Sequence, residues 1–149
     1  MNAKRILLAD DNPNDVELAL CALEELGMAD AVAVVQDGEE ALHYLRREGK
    51  YRDREPGNPD VAVLDLKMPK VSGLQVLEAV KGDPKFQAIP AVMLTSSREE
   101  CDLAASYRAG ANAYIVKPVD FEKFVQAVKE IGIFWGGVNE PPPVYSPSG

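Results

Sequence analysis

The chain holds only two cysteines, one histidine and one tryptophan, and its basic residues are outnumbered: 16 Lys and Arg against 24 Asp and Glu, a net charge of −8. Each scarcity excludes something. Cys21 and Cys101 fall inside expected helices, too few and too far apart for a metal site or a disulfide framework, so both read as reduced thiols. The acidic balance, with a pI near 4.7, argues against a direct nucleic-acid or anionic-membrane partner, which calls for a basic face. No apolar stretch approaches the ~20 residues of a membrane span. Met1-Asn2-Ala3-Lys4-Arg5 runs straight into an apolar segment, so no signal peptide is expected and the cytoplasm follows by default. His43 reads as a surface residue on an expected helix.

What remains is a soluble composition, 46% apolar and 27% charged over 149 residues, the size of one domain. Apolar runs and helical periodicities alternate five times. The expected strands are Ile6–Ala9, Ala31–Val35, Val61–Leu64, Ala91–Leu94 and Tyr114–Val116. The first helix opens at Asn12-Pro13, an N-cap followed by the one residue best tolerated without its N–H. Val16, Ala19, Leu20, Leu23 and Leu26 share its inner face, and Gly27 ends it. The second helix begins at Asp37-Gly38 with Ala41, Leu42 and Leu45 inward. The third covers about Gly73 to Val80. The fourth opens on a capping-box pattern, Ser97-Arg98-Glu99-Glu100. The fifth begins near Asp120 and carries Phe121, Phe124, Val125, Val128 and Ile131. A polar stretch from Glu48 to Asp60 is expected to be a long loop.

Residues 1–132 therefore read as one α/β domain. Residues 133–149 read as a tail, apolar at Ile133-Phe134-Trp135 and then rich in Pro, Gly and Ser, partly disordered and a candidate dimer arm. Five βα units imply a doubly wound parallel sheet, a flavodoxin-like (βα)5 fold with strand order 2-1-3-4-5. In that order strands 1 and 3 are neighbours. Their C-terminal ends carry Asp10, Asp11 and Asp65; the next two strands end in Thr95 and Lys117. Polar groups at the same end of four strands are the plan of a site in an open α/β sheet. Three close carboxylates repel, so one is protonated or a cation sits among them. All-oxygen ligation with few protein ligands suits Mg²⁺, and a carboxylate beside it can act as a nucleophile toward phosphorus.

Asp10-Asp11, Asp65 with Met68-Pro69 and Gly73, Thr95-Ser96, and Lys117-Pro118 together resemble the receiver domain of two-component response regulators over roughly residues 4–131. The resemblance implies that Asp65 takes a phosphoryl group from a sensor histidine kinase. It implies that Asp11, Asp65 and the backbone carbonyl of Lys67 bind Mg²⁺, with Asp10 acting through a metal-bound water. Thr95 and Tyr114 would be the switch pair, and Lys117, ahead of a cis bond to Pro118, would pair with the phosphoryl group. The loop Arg46–Pro59, the opening Asp10 to Asp15 and the tail with Phe134-Trp135 are similar to single-domain regulators paired with bacterial phytochrome kinases; Gly136-Gly137 departs from that pattern. The implied role is a phospho-acceptor switch that catalyses transfer onto itself and slow self-hydrolysis, without a separate product. It would act as a homodimer through the helix 4–strand 5–helix 5 face, with no output domain of its own. A degenerate receiver serving as a binding or dimerisation scaffold is one alternative. An aspartate-nucleophile phosphatase is another, disfavoured because Lys67 stands where a second acid would follow the nucleophile. A flavin-binding protein is a third, disfavoured by the lack of a Ser/Thr/Gly-rich loop after strand 1. Kinase, signal and downstream target are not encoded in any motif.

Overall fold

Two apolar layers separate cleanly along each central strand. In β1 (Ile6–Ala9) and β3 (Val61–Asp65), Leu7, Ala9, Ala62 and Leu64 enter one cluster, and Ile6, Leu8, Val61 and Val63 enter the other. This is the two-residue alternation of a strand covered on both faces, which is why these segments read as unbroken apolar runs. The structure is a computed structural model that describes residues 6–25, 27, 29–95, 100–116 and 122.

The remaining elements are α1 (Pro13–Glu25), β2 (Val32–Val35), α2 (Gly38–Arg46), α3 (Gly73–Lys81), β4 (Ala91–Thr95), α4 (Glu100–Arg108) and β5 (Ala113–Val116). All strand pairs are parallel, in the order β2-β1-β3-β4-β5, as the alternating pattern predicts. On one face α1 buries Ala19, Ala22 and Leu23 against the sheet. On the other, α2 and α3 contribute Ala41, Leu45, Val76, Leu77 and Val80, and α4 packs beside α3 and β5. Leu7, Leu8, Leu23, Leu64, Leu77 and Leu94 are all inaccessible, and each such side chain contributes about 1.5–3 kcal/mol by leaving water.

The helix ends follow local chemistry. Asn12 Oδ1 accepts from the N–H groups of Asn14 and Asp15, as the Asn-Pro opening predicts. Asp37 caps α2 through Glu40 N–H at 2.7 Å. Ser72 and Gln75 form a reciprocal capping box on α3, which adds to the helix start expected at Gly73. Several bounds move by one residue: β3 includes Asp65, β4 includes Thr95, β5 begins at Ala113, and Ala31 belongs to a 3-10 turn ahead of β2. Capping residues Ser97–Glu99, Leu26, Lys117-Pro118, the fifth helix apart from Glu122, and the tail 133–149 lie outside the described residues.

The long α2–β3 connection is built rather than loose. Arg47 takes left-handed backbone at φ 57 to close α2, and Gly49–Tyr51 forms a 3-10 turn. Arg54 then reaches back to the helix end: Nε donates to Tyr44 O at 2.7 Å, Nη2 to Leu45 O, and Nη1 to Glu55 O and Gly57 O. Its guanidinium carbon lies 4.1 Å from the Tyr44 ring centroid, and the Tyr44 ring meets Tyr51 edge-on at 5.1 Å. These donors satisfy helix C-terminal carbonyls that otherwise face water.

Tyr51 Oη also donates to Glu40 Oε2. Burial alone would raise the Glu40 pKa, but the hydrogen bonds from Tyr51, Gln36 N–H and Lys50 outweigh it and hold the carboxyl below its ordinary range. The associated stability is therefore present above the ordinary carboxylate value and is lost as pH falls through the lower folded value. Tyr51→Phe is expected to cost about 1–2 kcal/mol near neutral pH. The gap from the wild type should narrow in urea melts repeated at about pH 3.5.

Candidate functional site

Asp10 follows β1 and Asp65 ends β3. The register sets Ala9 and Leu64 side by side, so the next residue on each strand emerges at the same lip. The chain is anchored there on both sides: Asp10 N–H donates to Val35 O, and Leu66 N–H to Leu94 O, each at 3.1 Å. Asp10 is 1% exposed and Asp65 5%, while Asp11 is exposed. One carboxylate oxygen from each of the three lies within 4.8 Å of the others. The convergence expected from strand order is therefore present in the side chains.

The local hydrogen bonds orient these groups. Asp10 Oδ1 accepts from Asn12 N–H at 2.9 Å, which turns the chain into α1. Asp65 Oδ1 accepts from Lys67 N–H at 3.3 Å. Lys67 itself is exposed, whereas Leu66 and Met68 on either side are buried in the α2–α3 layer. With oxygens no more than 4.8 Å apart and an effective dielectric of about 20, two ionised carboxylates would repel by roughly 3 kcal/mol or more. Two buried carboxylates and one exposed one, all hard oxygen donors open to water on the Asp11 side, form a donor set that fits Mg²⁺ or Mn²⁺.

Of the other residues singled out in the sequence, Thr95 is the last residue of β4, one position beyond Leu94, the partner of Asp65. Tyr114 lies on β5 opposite Met93; it is partly buried against the core, and its ring centroid is 6.4 Å from that of Tyr107 on α4. Lys117 lies outside the described residues.

Two glycines position the site by what they lack. A Cβ on Gly73 would lie 2.1 Å from Asp65 O, and one on Gly38 would lie 1.9 Å from Val71 O. Gly73 N–H donates to Leu66 O at 2.8 Å, so α3 starts pressed against the strand end that presents Asp65. Gly38 lets the start of α2 press on the same β3–α3 loop. That loop turns through Lys70 at φ 69, whose ammonium lies 3.4 Å from Glu39 Oε1 and 3.8 Å from Asp37 Oδ2. In the sequence Gly73 reads as part of a motif and Gly38 as a helix start; nothing there points to Lys70, because close backbone approach leaves no periodic signal.

Comparisons with known proteins agree with this geometry. The family described as "Response regulator receiver domain" matches residues 6–129. The solved bacteriophytochrome response regulator RtBRR is 55% identical with a TM-score of 0.80, covering 95% of this chain and 85% of that one. The phosphorylated cyanobacterial phytochrome response regulator RcpA is 38% identical with a TM-score of 0.77, covering 94% and 99%. Response regulator Rcp1 of Synechocystis sp. is 33% identical over 89% of this chain and 88% of its own. A structure of Rcp1 in its Mn²⁺-bound form has a TM-score of 0.74 at 31% identity, covering 93% and 99%.

Gly73→Ala should force the Asp65 carbonyl to move and cost about 1–3 kcal/mol of stability by overpacking. Gly82→Ala, at a helix end with a nearest contact of 3.1 Å, should cost less; thermal unfolding of both variants compares them.

Proposed function

Because the chain belongs to the response regulator receiver domain family, we propose that it is a phospho-acceptor switch: Asp65 receives a phosphoryl group from a sensor histidine kinase, and the domain changes conformation in response. The observation that carries this reading is the cluster of Asp10, Asp11 and Asp65 at the ends of adjacent strands, with carboxylate oxygens within 4.8 Å. A degenerate scaffold has no need to keep three repelling acids together, and two of these are buried. The 55% identity to a bacteriophytochrome response regulator supports a bacteriophytochrome as the kinase. The relatives that are phosphorylated and Mn²⁺-bound support phosphoryl chemistry and a divalent metal.

In this reading an Asp65 carboxylate oxygen attacks the phosphorus of a phosphohistidine. The O–P bond forms as the P–N bond breaks, leaving an acyl phosphate on Asp65 and a neutral imidazole on the kinase once a proton is taken up. Asp11, Asp65 and the Lys67 carbonyl would hold Mg²⁺, with Asp10 reaching it through water. The bound cation supplies positive charge against the phosphoryl oxygens. The Asp65 N-terminal neighbours are all buried, so the nucleophile rides on a rigid strand. Thr95 and Lys117 receive the new negative charge, and Tyr114 moves inward behind Thr95, a shift between pre-existing arrangements. Self-catalysed transfer and hydrolysis need no further residue. The proposed assembly is a homodimer through the α4–β5 side, where Leu103 and Tyr107 are exposed apolar groups, with residues 133–149 as an accessory arm.

Incubation with a small phosphodonor and Mg²⁺ should add one phosphoryl group per chain, read by intact mass. Asp65→Asn should abolish it; uptake at the wild-type rate by that variant sinks the assignment. Asp11→Ala should weaken Mg²⁺ binding about tenfold or more by removing one of few ligands, as measured by calorimetry. Light scattering on the chain cut after Gly132 tests the arm. A dimer that persists unchanged makes the tail incidental, and a monomer before and after removes the dimer proposal.

A further inference from the structure

At the opposite end of the sheet from Asp65, the α2–β3 connection and the turn after α3 enclose a cleft of about 610 Å³, within the size range of small-molecule sites. Its rim carries Arg46, Arg47, Arg52, Arg54 and Lys85 against only Glu48 and Asp83, a local excess of three positive charges on a chain of net charge −8. We propose that this cleft binds a small, multiply charged anion of the phosphate or polyphosphate class, independently of phosphorylation at Asp65.

Three observations support the assignment. The first is that four of the five cations form no ion pair. Arg54 spends its guanidinium on the carbonyls of Tyr44, Leu45, Glu55 and Gly57 and is a wall of the cleft. Arg46, Arg47, Arg52 and Lys85 form no ion pair with a carboxylate among the described residues; Arg47 uses only Nε, on Arg54 O. Four cations lining one cleft without an ion pair, against two carboxylates, leave a net positive potential there. The second is that both walls are fixed in advance. Arg54 ties one to α2, and Asn58 Nδ2 donates to Lys85 O at 2.7 Å, tying the other to the turn after α3. A preformed cleft binds at lower ordering cost. The third is the length of the connection, residues 47–60, where a helix-to-strand link of about 2–6 residues suffices; long ordered loops of this kind usually carry a function. The planar fork of arginine selects the chemistry, because it matches phosphate oxygens two at a time.

The test is a titration of the full chain, without Mg²⁺, by inorganic pyrophosphate, followed through backbone amide shifts. Saturable shifts confined to residues 46–58 and 83–86, with half-saturation near or below about 1 mM, are expected. The double variant Arg46→Gln, Arg52→Gln, both exposed and so compatible with folding, should bind at least about tenfold more weakly, and Lys85→Gln separately should weaken it as well. Asp65→Asn should bind as the wild type does, which separates this site from the phosphorylation site. Shifts that rise without saturation or spread over the surface, or equal binding by the double variant, overturn the proposal. Binding of an acidic peptide such as octaglutamate but not of pyrophosphate also overturns it, since the cleft would then be a surface for a protein partner.

Discussion

The pairing of β1 with β3 is the constraint on which the rest depends. Their register brings Ala9 beside Leu64, and the two residues that follow are Asp10 and Asp65. Both strands are covered on both faces, so neither acid can withdraw without dragging its strand out of register, and a one-residue slip would turn every apolar side chain to the wrong layer. The burial of Leu7, Leu8, Val63 and Leu64 thus holds the two carboxylates together against their repulsion.

Close backbone packing extends that constraint outward. Gly73 lets α3 begin against the Asp65 carbonyl, and Gly38 lets α2 begin against Val71. The loop leaving Asp65 is therefore held between two helix N-termini, and Lys70 joins it to Asp37, the N-cap of α2, and to Glu39 within it. Exposed pairs of this kind are worth little individually; the glycine contacts set the geometry, and the charges only decorate it. A change at Asp65 bears directly on α3 and β4, and reaches α2 through the loop at Val71.

The far end of the sheet obeys a different logic. There the chain departs from the shortest path into β3 and is stabilised by polar groups: Arg54 on helix carbonyls, Tyr51 on Glu40, Asn58 on Lys85. Lys81, partly buried nearby, donates to Gln87 O and Ile89 O and has its pKa pushed down by burial. Polar networks of this type specify one conformation where apolar area is scarce. The acidic end of the sheet and the cationic end are thus built by distinct means on one scaffold.

Strand identity, strand order and the acids at strand ends were all legible in the residues, because a strand buried on both faces must be an apolar run and a strand end is where polarity returns. The expected bounds of Ile6–Ala9 coincide with β1. Asp10, Asp11 and Asp65 could be grouped because five alternating units admit few topologies. The loop 47–60 was legible only as polar and long. Its order comes from Arg54 and Asn58 reaching groups distant in the chain, which no periodicity records, and the run Arg46-Arg47-Glu48 lines a cleft only once that loop folds over it. Likewise the reasons for Gly38 and Gly73 lie in backbone atoms of other segments. Patterns local to a strand or helix determine what each element is; contacts between elements, set by steric approach and by side chains bridging the ends, decided which groups face one another.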